Sequence, residues 1–194
     1  GGLQAKGLRK QSAWVLFRTY VNGASNHVLR ACLASPEWCT HYDEAVVAQV
    51  GSILGATLDG TQQDQVWLSL KHGGLGLGSA RLRRSAAYLA SWEQCFGEVA
   101  RARGCTSAQA MLAQVPGVAA ALEAAGADLR SLGVGRYHAN WAGCFDAGRA
   151  RRQRLYGSAI QAAARKKLLT QLGEDDRIDL RSAGGRGETI LLSP

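Results

Sequence analysis

Thiols and imidazoles in the first part of the chain have the chemistry to bind a metal ion. Cys39 and His41 lie close together in the sequence, and Cys32 and His27 precede them. Structural zinc motifs usually pair ligands two to four residues apart in each half of the site. Free cysteine is also often no more than a small buried side chain. Buried thiols and ordinary polar histidines are therefore the favoured interpretation, and we predict no metal site.

Two carboxylates, Asp59 and Asp64, raise the question of two-metal catalysis, which needs such pairs. No third acidic or histidine ligand stands nearby, and Thr61 with Asp64 fits the start of a helix. No nucleophile elbow or other ordered signature marks a Ser/His/Asp or Cys/His set. We expect neither a catalytic residue nor a cofactor within this chain, and its sequence leaves enzymatic activity an open question.

A cluster of glycines, Gly73, Gly74, Gly76 and Gly78, could cradle a phosphate group. A P-loop, however, needs G-x-x-x-x-G-K-[ST], and a dinucleotide fingerprint needs G-x-G-x-x-G after a strand. The last three glycines are spaced by two, and no Lys-Ser pair follows them. The pattern instead predicts a tight glycine-rich loop or ribbon at about residues 68–78.

A long amphipathic helix should follow this loop. Ser79 is a good N-cap, because its hydroxyl can accept a hydrogen bond from a backbone N–H of the first turn. Apolar side chains then recur at helical spacing up to about Arg103, with Gly104 at the end. This predicted face consists of Leu82, Ala86, Leu89, Trp92, Phe96 and Val99.

The run LSLKHGGLGLGSARLRRSAAYLASW resembles a known segment. It is similar to the region that follows the polymerase domain in reverse transcriptases of non-LTR (LINE-type) retrotransposons. There an apolar ribbon, a GGLGL-like loop, Ser-Ala and an Ala-Tyr-Leu-Ala-Ser-Trp-like helix come in the same order. The similarity extends from about Trp14 to Trp92. The residues that carry the motif are Gly73, Gly74, Gly76, Ser79, Tyr88 and Trp92.

The resemblance implies the thumb and post-thumb region of an RNA-directed DNA polymerase. It implies RNA and DNA, as a template-primer duplex, and the upstream polymerase domain of the same polyprotein as partners. The chain lacks the family's Tyr/Phe-x-Asp-Asp motif, so the catalytic aspartates cannot be carried over, and Mg²⁺ would belong to the parent polymerase. Both ends of the chain are expected to be truncations of a longer polyprotein.

The charge distribution points to a polyanionic partner. The net charge is +8, and residues 149–172 contain seven basic side chains and no acidic one, whereas residues 31–70 contain five acidic side chains and no Lys or Arg. Neutralising phosphates releases counterions from a nucleic acid, so a basic patch is a typical footprint of nucleic-acid binding. The residues predicted to contact nucleic acid are Arg18, Arg30, Arg83, Arg84, Arg149, Arg151, Arg152, Arg154, Arg165, Lys166 and Lys167.

An alternative explains the same charges without a nucleic acid. A basic helix can be a solvated face, or it can meet an acidic segment of the same chain or of a partner. The alternative function is therefore a helical protein-interaction or scaffold domain. Composition alone leaves the two readings almost balanced, and the family resemblance favours nucleic acid.

We predict a mainly α, helical bundle-like assembly with little or no sheet. The expected division is a thumb-like helical region with the GGLGL loop, residues 1–103, and a helical linker region, residues 104–194. The linker should contain a basic helix at about residues 145–172. The low proline content and 46% hydrophobic residues predict a folded chain.

Several local features are predicted for the first half of the chain. Residues 3–34 should form one or two helices, with Asn22-Gly23 as the interruption. Asp43 is a plausible N-cap for the next helix, which Gly55 should close. Residues 59–67 should form a further short helix.

Other features are predicted for the second half. Thr106 with Gln109 should cap one helix, and the helix after Pro116 should close at Gly126. Residues 128–145 should be irregular, and their aromatic cluster could stack on bases but more often forms a packing cluster. Leu155 should be buried on the basic helix. The aromatic cluster contains Tyr137, His138 and Trp141, and a short strand is predicted over Thr189 to Leu192.

The cysteine content and the hydropathy of the sequence indicate the cellular compartment in which the protein is expected. Five cysteines without a C-x-x-C pair make no disulfide framework, which is typical of a reduced intracellular compartment. No run approaches 18 apolar residues, and no signal peptide is visible. We expect an intracellular protein of the nucleus or cytoplasm that does not bind a membrane.

Overall fold

The computed structural model describes residues 9–134, 140–147 and 152–186. Over these residues the secondary structure is helical and contains no strand, which confirms the predicted mainly α fold. A short 3₁₀ helix, Leu70–His72, lies in the predicted glycine-rich loop. The α-helices are α1 Lys10–Ala31, α2 Pro36–Leu54, α3 Gly60–Val66, α4 Ala80–Ala102, α5 Ala108–Gln114, α6 Pro116–Ser131, α7 Trp141–Ala147, α8 Arg152–Gln171 and α9 Glu174–Arg186.

The chain divides into two compact units, each made of separate segments. The first unit contains the described residues of Gly1–Ser25, Pro36–Arg81 and Gln161–Pro194. The second contains those of Asn26–Ser35 and Leu82–Ile160. Helices α1, α4 and α8 each contribute residues to both units. The division at residue 103 that the sequence suggests stays a prediction.

Helix α1 is continuous through Asn22-Gly23, so the predicted interruption is wrong. A glycine inside a helix costs about 1 kcal/mol relative to alanine, which a 22-residue helix tolerates. Asn22 also contributes to the fold, because its side-chain amide forms two hydrogen bonds with the glycine-rich loop.

Helix α2 starts earlier than predicted. It begins at Pro36, where the missing N–H of proline is no loss, and Asp43 lies two turns inside it. The prediction of Asp43 as the N-cap of this helix is therefore wrong. The predicted end is correct, because α2 stops at Leu54 and Gly55 adopts a left-handed φ of 75°.

A small apolar cluster joins the last two helices to the glycine-rich loop in the first unit. Leu168 of α8 and Leu180 of α9 pack against Leu68, and all three are buried. Helix α9 was not predicted from the sequence. Three acidic residues in its first turn suit the positive end of the helix dipole. The predicted strand at residues 189–192 lies outside the described residues.

Helix α4 supplies the central part of the second unit's core. Leu89 and Phe96 are fully buried there, and Phe96 contacts Trp141 of α7 with ring centroids 5.1 Å apart. The helix ends at Ala102, next to Gly104 with a φ of 73°, as predicted. The buried residues around it include Met111, Leu122, Leu129 and Ile160.

Three predictions of helix boundaries in the second unit are wrong. Helix α5 is capped by Ser107, whose hydroxyl accepts the N–H of Ala110, so the predicted Thr106 capping box does not form the start. Helix α6 does begin at Pro116, but it runs past the buried Gly126 to Ser131. The residues expected to be irregular, 128–145, therefore contain the end of α6 and the start of α7.

Within the described residues, the predicted basic helix corresponds mainly to α8. Helix α7 ends at Ala147, α8 begins at Arg152, and residues 148–151 lie outside the described part of the chain. Leu155, predicted to be buried, is 68% exposed, while Tyr156 and Ile160 are buried in its place. The buried side of α8 thus includes Tyr156, Ile160 and, as predicted, Leu168, because its position depends on where the helix packs.

No single helix within the described residues is long and apolar enough to cross a membrane. Helices α5 and α6 reach that length and hydropathy only as a pair, and they are bent by 107° at the break between them.

Candidate nucleic-acid interface

The glycine-rich loop requires its glycines for steric reasons. Gly73 and Gly76 adopt left-handed φ values of 82° and 71°, which other residues rarely tolerate. At Gly74 a Cβ would come within 2.5 Å of the Gln65 carbonyl oxygen and would collide with Leu68 as well. These three glycines of the motif are therefore needed to fold the loop back on the end of α3.

Asp43 of α2 holds the point where the loop enters α4. Its carboxylate accepts hydrogen bonds from the Ser79 hydroxyl at 2.5 Å, the Ala80 N–H at 2.6 Å and the Arg81 N–H at 3.3 Å. Ser79 stands directly before α4, as predicted. The backbone N–H groups of the first turn, however, donate to the carboxylate of Asp43, which precedes Ala80 by 37 residues. Burial raises the pKa of Asp43, and these hydrogen bonds partly offset that rise.

Asn22 of α1 closes the other end of the loop. Its Nδ2 donates to the Gly76 carbonyl oxygen at 3.0 Å, and its Oδ1 accepts the Gly78 N–H at 2.9 Å. The amide thereby pairs with two backbone groups of the loop, as a neighbouring strand would in a sheet. Together with Asp43, Asn22 fixes the loop from two helices of the first unit.

Gln161 of α8 binds the start of the loop. Its Oε1 accepts the Ser69 N–H at 2.7 Å, and its Nε2 donates to the Trp67 carbonyl oxygen at 2.9 Å. The Ser69 hydroxyl lies 3.1 Å from His72 Nδ1. Burial lowers the pKa of His72, and the positive charges of Lys71 and Arg165 lower it further. The loop and α8 therefore bring several cationic or potentially cationic groups together.

Two of the predicted nucleic-acid contacts form internal hydrogen bonds in the second unit. Arg30 donates to Gln153 at 2.7 Å and to Gln94 at 2.6 Å. Arg84 forms an ion pair with Asp128 at 3.2 Å and donates to the Ala34 carbonyl oxygen at 3.1 Å. Ser85 donates to the same Asp128 carboxylate. These guanidinium groups contribute to the fold through such bonds.

Arg152, a third predicted contact, belongs to a buried polar network. The Tyr156 hydroxyl donates to Glu93 Oε1 at 2.7 Å, and Arg152 Nη1 lies 3.5 Å from the same oxygen. Glu93 is only 1% exposed, and its Oε2 has no hydrogen-bond partner among the described residues. Burial raises the pKa of Glu93, and the bond from Tyr156 and the charge of Arg152 offset part of the rise.

Replacing Glu93 with glutamine is expected to flatten the pH dependence of stability. Because its pKa is raised in the folded state, the wild-type chain keeps this group's stabilising contribution below the ordinary pKa of 4.5. It loses that contribution as the pH rises through the folded-state pKa. Urea unfolding between about pH 4 and pH 8 should show this loss in the wild type and a smaller one in Glu93→Gln.

Glu98→Gln is the matched control, because Glu98 is an exposed glutamate on the same helix. It should keep the pH dependence of the wild type. Equal slopes of unfolding free energy against pH in all three proteins would show that Glu93 does not titrate as proposed.

The other predicted contacts differ in exposure. Arg18, Arg83 and Arg165 are half-buried, whereas Arg154, Lys166 and Lys167 are exposed. Arg149 and Arg151 lie outside the described residues, as do Tyr137 and His138 of the aromatic cluster. The last two motif residues pack with each other, since Tyr88 is buried and meets the Trp92 ring edge-on at 6.3 Å.

Sequence reasoning missed several residues of this region: Asn22, Lys71, His72 and Gln161, and the capping role of Asp43. Lys71-His72 directly precedes the glycine pair, and that position was the one available signal. Among the described residues, no group of three or more His, Cys, Asp or Glu side chains is placed to hold a metal ion. Comparison with family models, curated proteins and solved structures finds no match to the chain.

Proposed function

We propose that the chain is the thumb and linker region of a non-LTR retrotransposon reverse transcriptase. In this role it binds the template RNA and primer DNA by backbone contacts and catalyses no reaction itself. The sequence resemblance across the glycine-rich loop and α4 motivates the proposal. The polymerase chemistry and its Mg²⁺ belong to an upstream domain of the same polyprotein, and the site of action is the nucleus or cytoplasm.

The observation that carries the proposal is the basic run on α8. Lys166 and Lys167 are exposed, and they follow the half-buried Arg165 directly. The ion pairs found among the described residues are Arg84–Asp128 and Arg152–Glu93, so these two lysines are not neutralised by them. Uncompensated surface cations of this kind release counterions when they meet phosphates, which favours binding to a nucleic acid.

The double substitution Lys166→Glu with Lys167→Glu tests the proposal. Because each lost phosphate contact removes about one unit from the log-log salt slope, the slope for an RNA–DNA duplex should fall by about two. The affinity should fall at least tenfold at low salt. Fluorescence anisotropy with a labelled duplex measures both quantities, on the full chain.

Arg130→Glu combined with Lys10→Glu is the matched control, since both residues are exposed and lie outside α8. It makes the same change in net charge as the lysine double variant. If both double variants lose affinity equally, binding follows net charge alone, and the assignment of α8 is refuted.

A second candidate function, binding of a protein partner, is favoured by a concave surface in the first unit. A cavity of about 620 Å³ lies along α2 and the α2–α3 connection, with Glu44, Val47 and Leu58 among its lining residues. Glu44 and Val47 also line an adjoining cavity of about 320 Å³ that includes Asp64. Carboxylates and apolar side chains together suit a basic peptide segment, although the smaller cavity is also lined by Arg81. Binding of such a peptide, lost when Glu44→Lys reverses the charge of a carboxylate that lines both cavities, would support this function.

A further inference from the structure

The position of Arg165 follows from its neighbours on α8. Gln161, Arg165 and Leu168 are spaced as i, i+4 and i+7, so they share one face of the helix. Gln161 binds the backbone at Ser69, and Leu168 packs against Leu68. Arg165 therefore lies between these two contacts on α8, and its charge is close enough to His72 of the 3₁₀ helix Leu70–His72 to lower the pKa of that imidazole.

Arg177 occupies a similar position on α9. It precedes Leu180 by three residues and shares its face of the helix. Leu180 packs against Leu68, and its carbonyl oxygen would lie 2.6 Å from a Cβ at Gly73. The face that carries Arg177 is thus turned toward the same short loop segment as the face that carries Arg165.

Each of the two guanidinium groups contains a buried donor that finds no partner in the part of the chain that the structure describes. The Nε atoms of Arg165 and Arg177 are inaccessible to solvent, and neither finds a hydrogen-bond acceptor among the described residues. A buried donor left unpaired costs about 1–3 kcal/mol, and more when it is charged. Each of these arginines is half-buried as a residue, so a ligand would meet the exposed part of its side chain and not the covered Nε.

The turn itself adds a third cation. Lys71 is exposed on the 3₁₀ helix, next to the half-buried His72. Four exposed acidic residues lie close to Arg177 in the sequence of α9, namely Glu174, Asp175, Asp176 and Asp179. They leave the Nε atoms of Arg165 and Arg177 without an acceptor.

We propose that Lys71, Arg165 and Arg177 form a binding site for one phosphate group of a nucleic-acid backbone. The two guanidinium groups donate to the phosphate oxygens, and the Lys71 ammonium adds a point charge at the solvent side. This inference rests on the proposed function and places one of its contacts on the glycine-rich loop. The glycines of the loop then position the 3₁₀ helix Leu70–His72 against α8 and α9.

The single variants Arg165→Gln and Arg177→Gln test the site in the full chain. Each should lower the affinity for an RNA–DNA duplex by about fivefold to tenfold and reduce the log-log salt slope by about one. Arg130→Gln is the control, because Arg130 is exposed on α6 of the second unit, whereas the proposed site is in the first. It should leave the salt slope of the wild type unchanged.

Thermal unfolding without nucleic acid separates binding from a structural role. Removing an unpartnered buried cation should leave the Tm unchanged or raise it, whereas a structural arginine would lower it. Inorganic phosphate, compared with chloride at equal ionic strength, should raise the Tm of the wild type more than that of Arg165→Gln.

The outcomes distinguish the two proposals. If the wild type binds the duplex and both variants keep its slope, the phosphate site is wrong and the nucleic-acid function stands. A lower Tm with an unchanged slope would assign the arginines to the fold and overturn the site. If inorganic phosphate stabilises the wild type but the duplex does not bind, the ligand is a free phosphate, and the nucleic-acid assignment of both proposals fails.

Discussion

Asp43→Ala is expected to lower the free energy of unfolding by about 3 kcal/mol. The substitution removes the carboxylate that accepts from the Ser79 hydroxyl and from the Ala80 and Arg81 N–H groups. Because a helix N-terminus without its cap leaves donors unpaired, the loop and the first turn of α4 should both loosen. Urea unfolding monitored by circular dichroism measures the loss.

Asp43→Asn and Glu44→Ala make this prediction specific. Asparagine keeps one acceptor oxygen at the cap, so its cost should be smaller, about 1–2 kcal/mol. Glu44 is the next residue of α2 and is exposed, so its removal should change stability by less than about 0.5 kcal/mol. If Asp43→Ala were no more harmful than Glu44→Ala, the cap would not contribute to stability.

Gly74→Ala is expected to destabilise the chain by about 3 kcal/mol or more. The added Cβ would meet the Gln65 carbonyl oxygen at 2.5 Å and the backbone and side chain of Leu68, none of which is the free end of a flexible side chain. The loop would have to separate from the end of α3. Chemical unfolding of the purified variant, or its failure to fold, reports the effect.

Gly23→Ala is the matched control for that substitution. Gly23 lies exposed within α1, and a Cβ there would have no atom within 4 Å. Alanine should therefore raise stability by about 0.5–1 kcal/mol through its higher helix propensity. A neutral Gly74→Ala would contradict the packing of the loop described above.

Sequence patterns predicted the features that depend on local physics. The apolar period of α4, its end at Gly104 and the glycine-rich loop all follow from residue types within a few positions of each other. The same reasoning wrongly assigned Asp43 as the N-cap of α2, because an aspartate before an apolar run is a typical N-cap signal. Its actual partner is the start of another helix, and no local pattern encodes a contact between residues 43 and 80.

The candidate site also depends on contacts between residues that are distant in the sequence, which local patterns do not predict. The basic segments are visible in the sequence, but the sequence does not say which cations are already used within the fold. Arg84 binds Asp128 and Arg152 lies beside Glu93, whereas Lys166 and Lys167 remain exposed. Such pairings join residues more than 40 positions apart, so they depend on packing rather than on local composition.

The salt dependence of duplex binding tests the central proposal most directly. The affinity of the full chain for an RNA–DNA duplex, measured from about 50 to 400 mM NaCl, should fall linearly on a log-log plot. With three or four phosphate contacts the slope should be about −3 to −4, and it should be the same for duplexes of unrelated sequence. A slope near zero, or no binding at the lowest salt, would contradict the proposal that this chain binds the template-primer duplex.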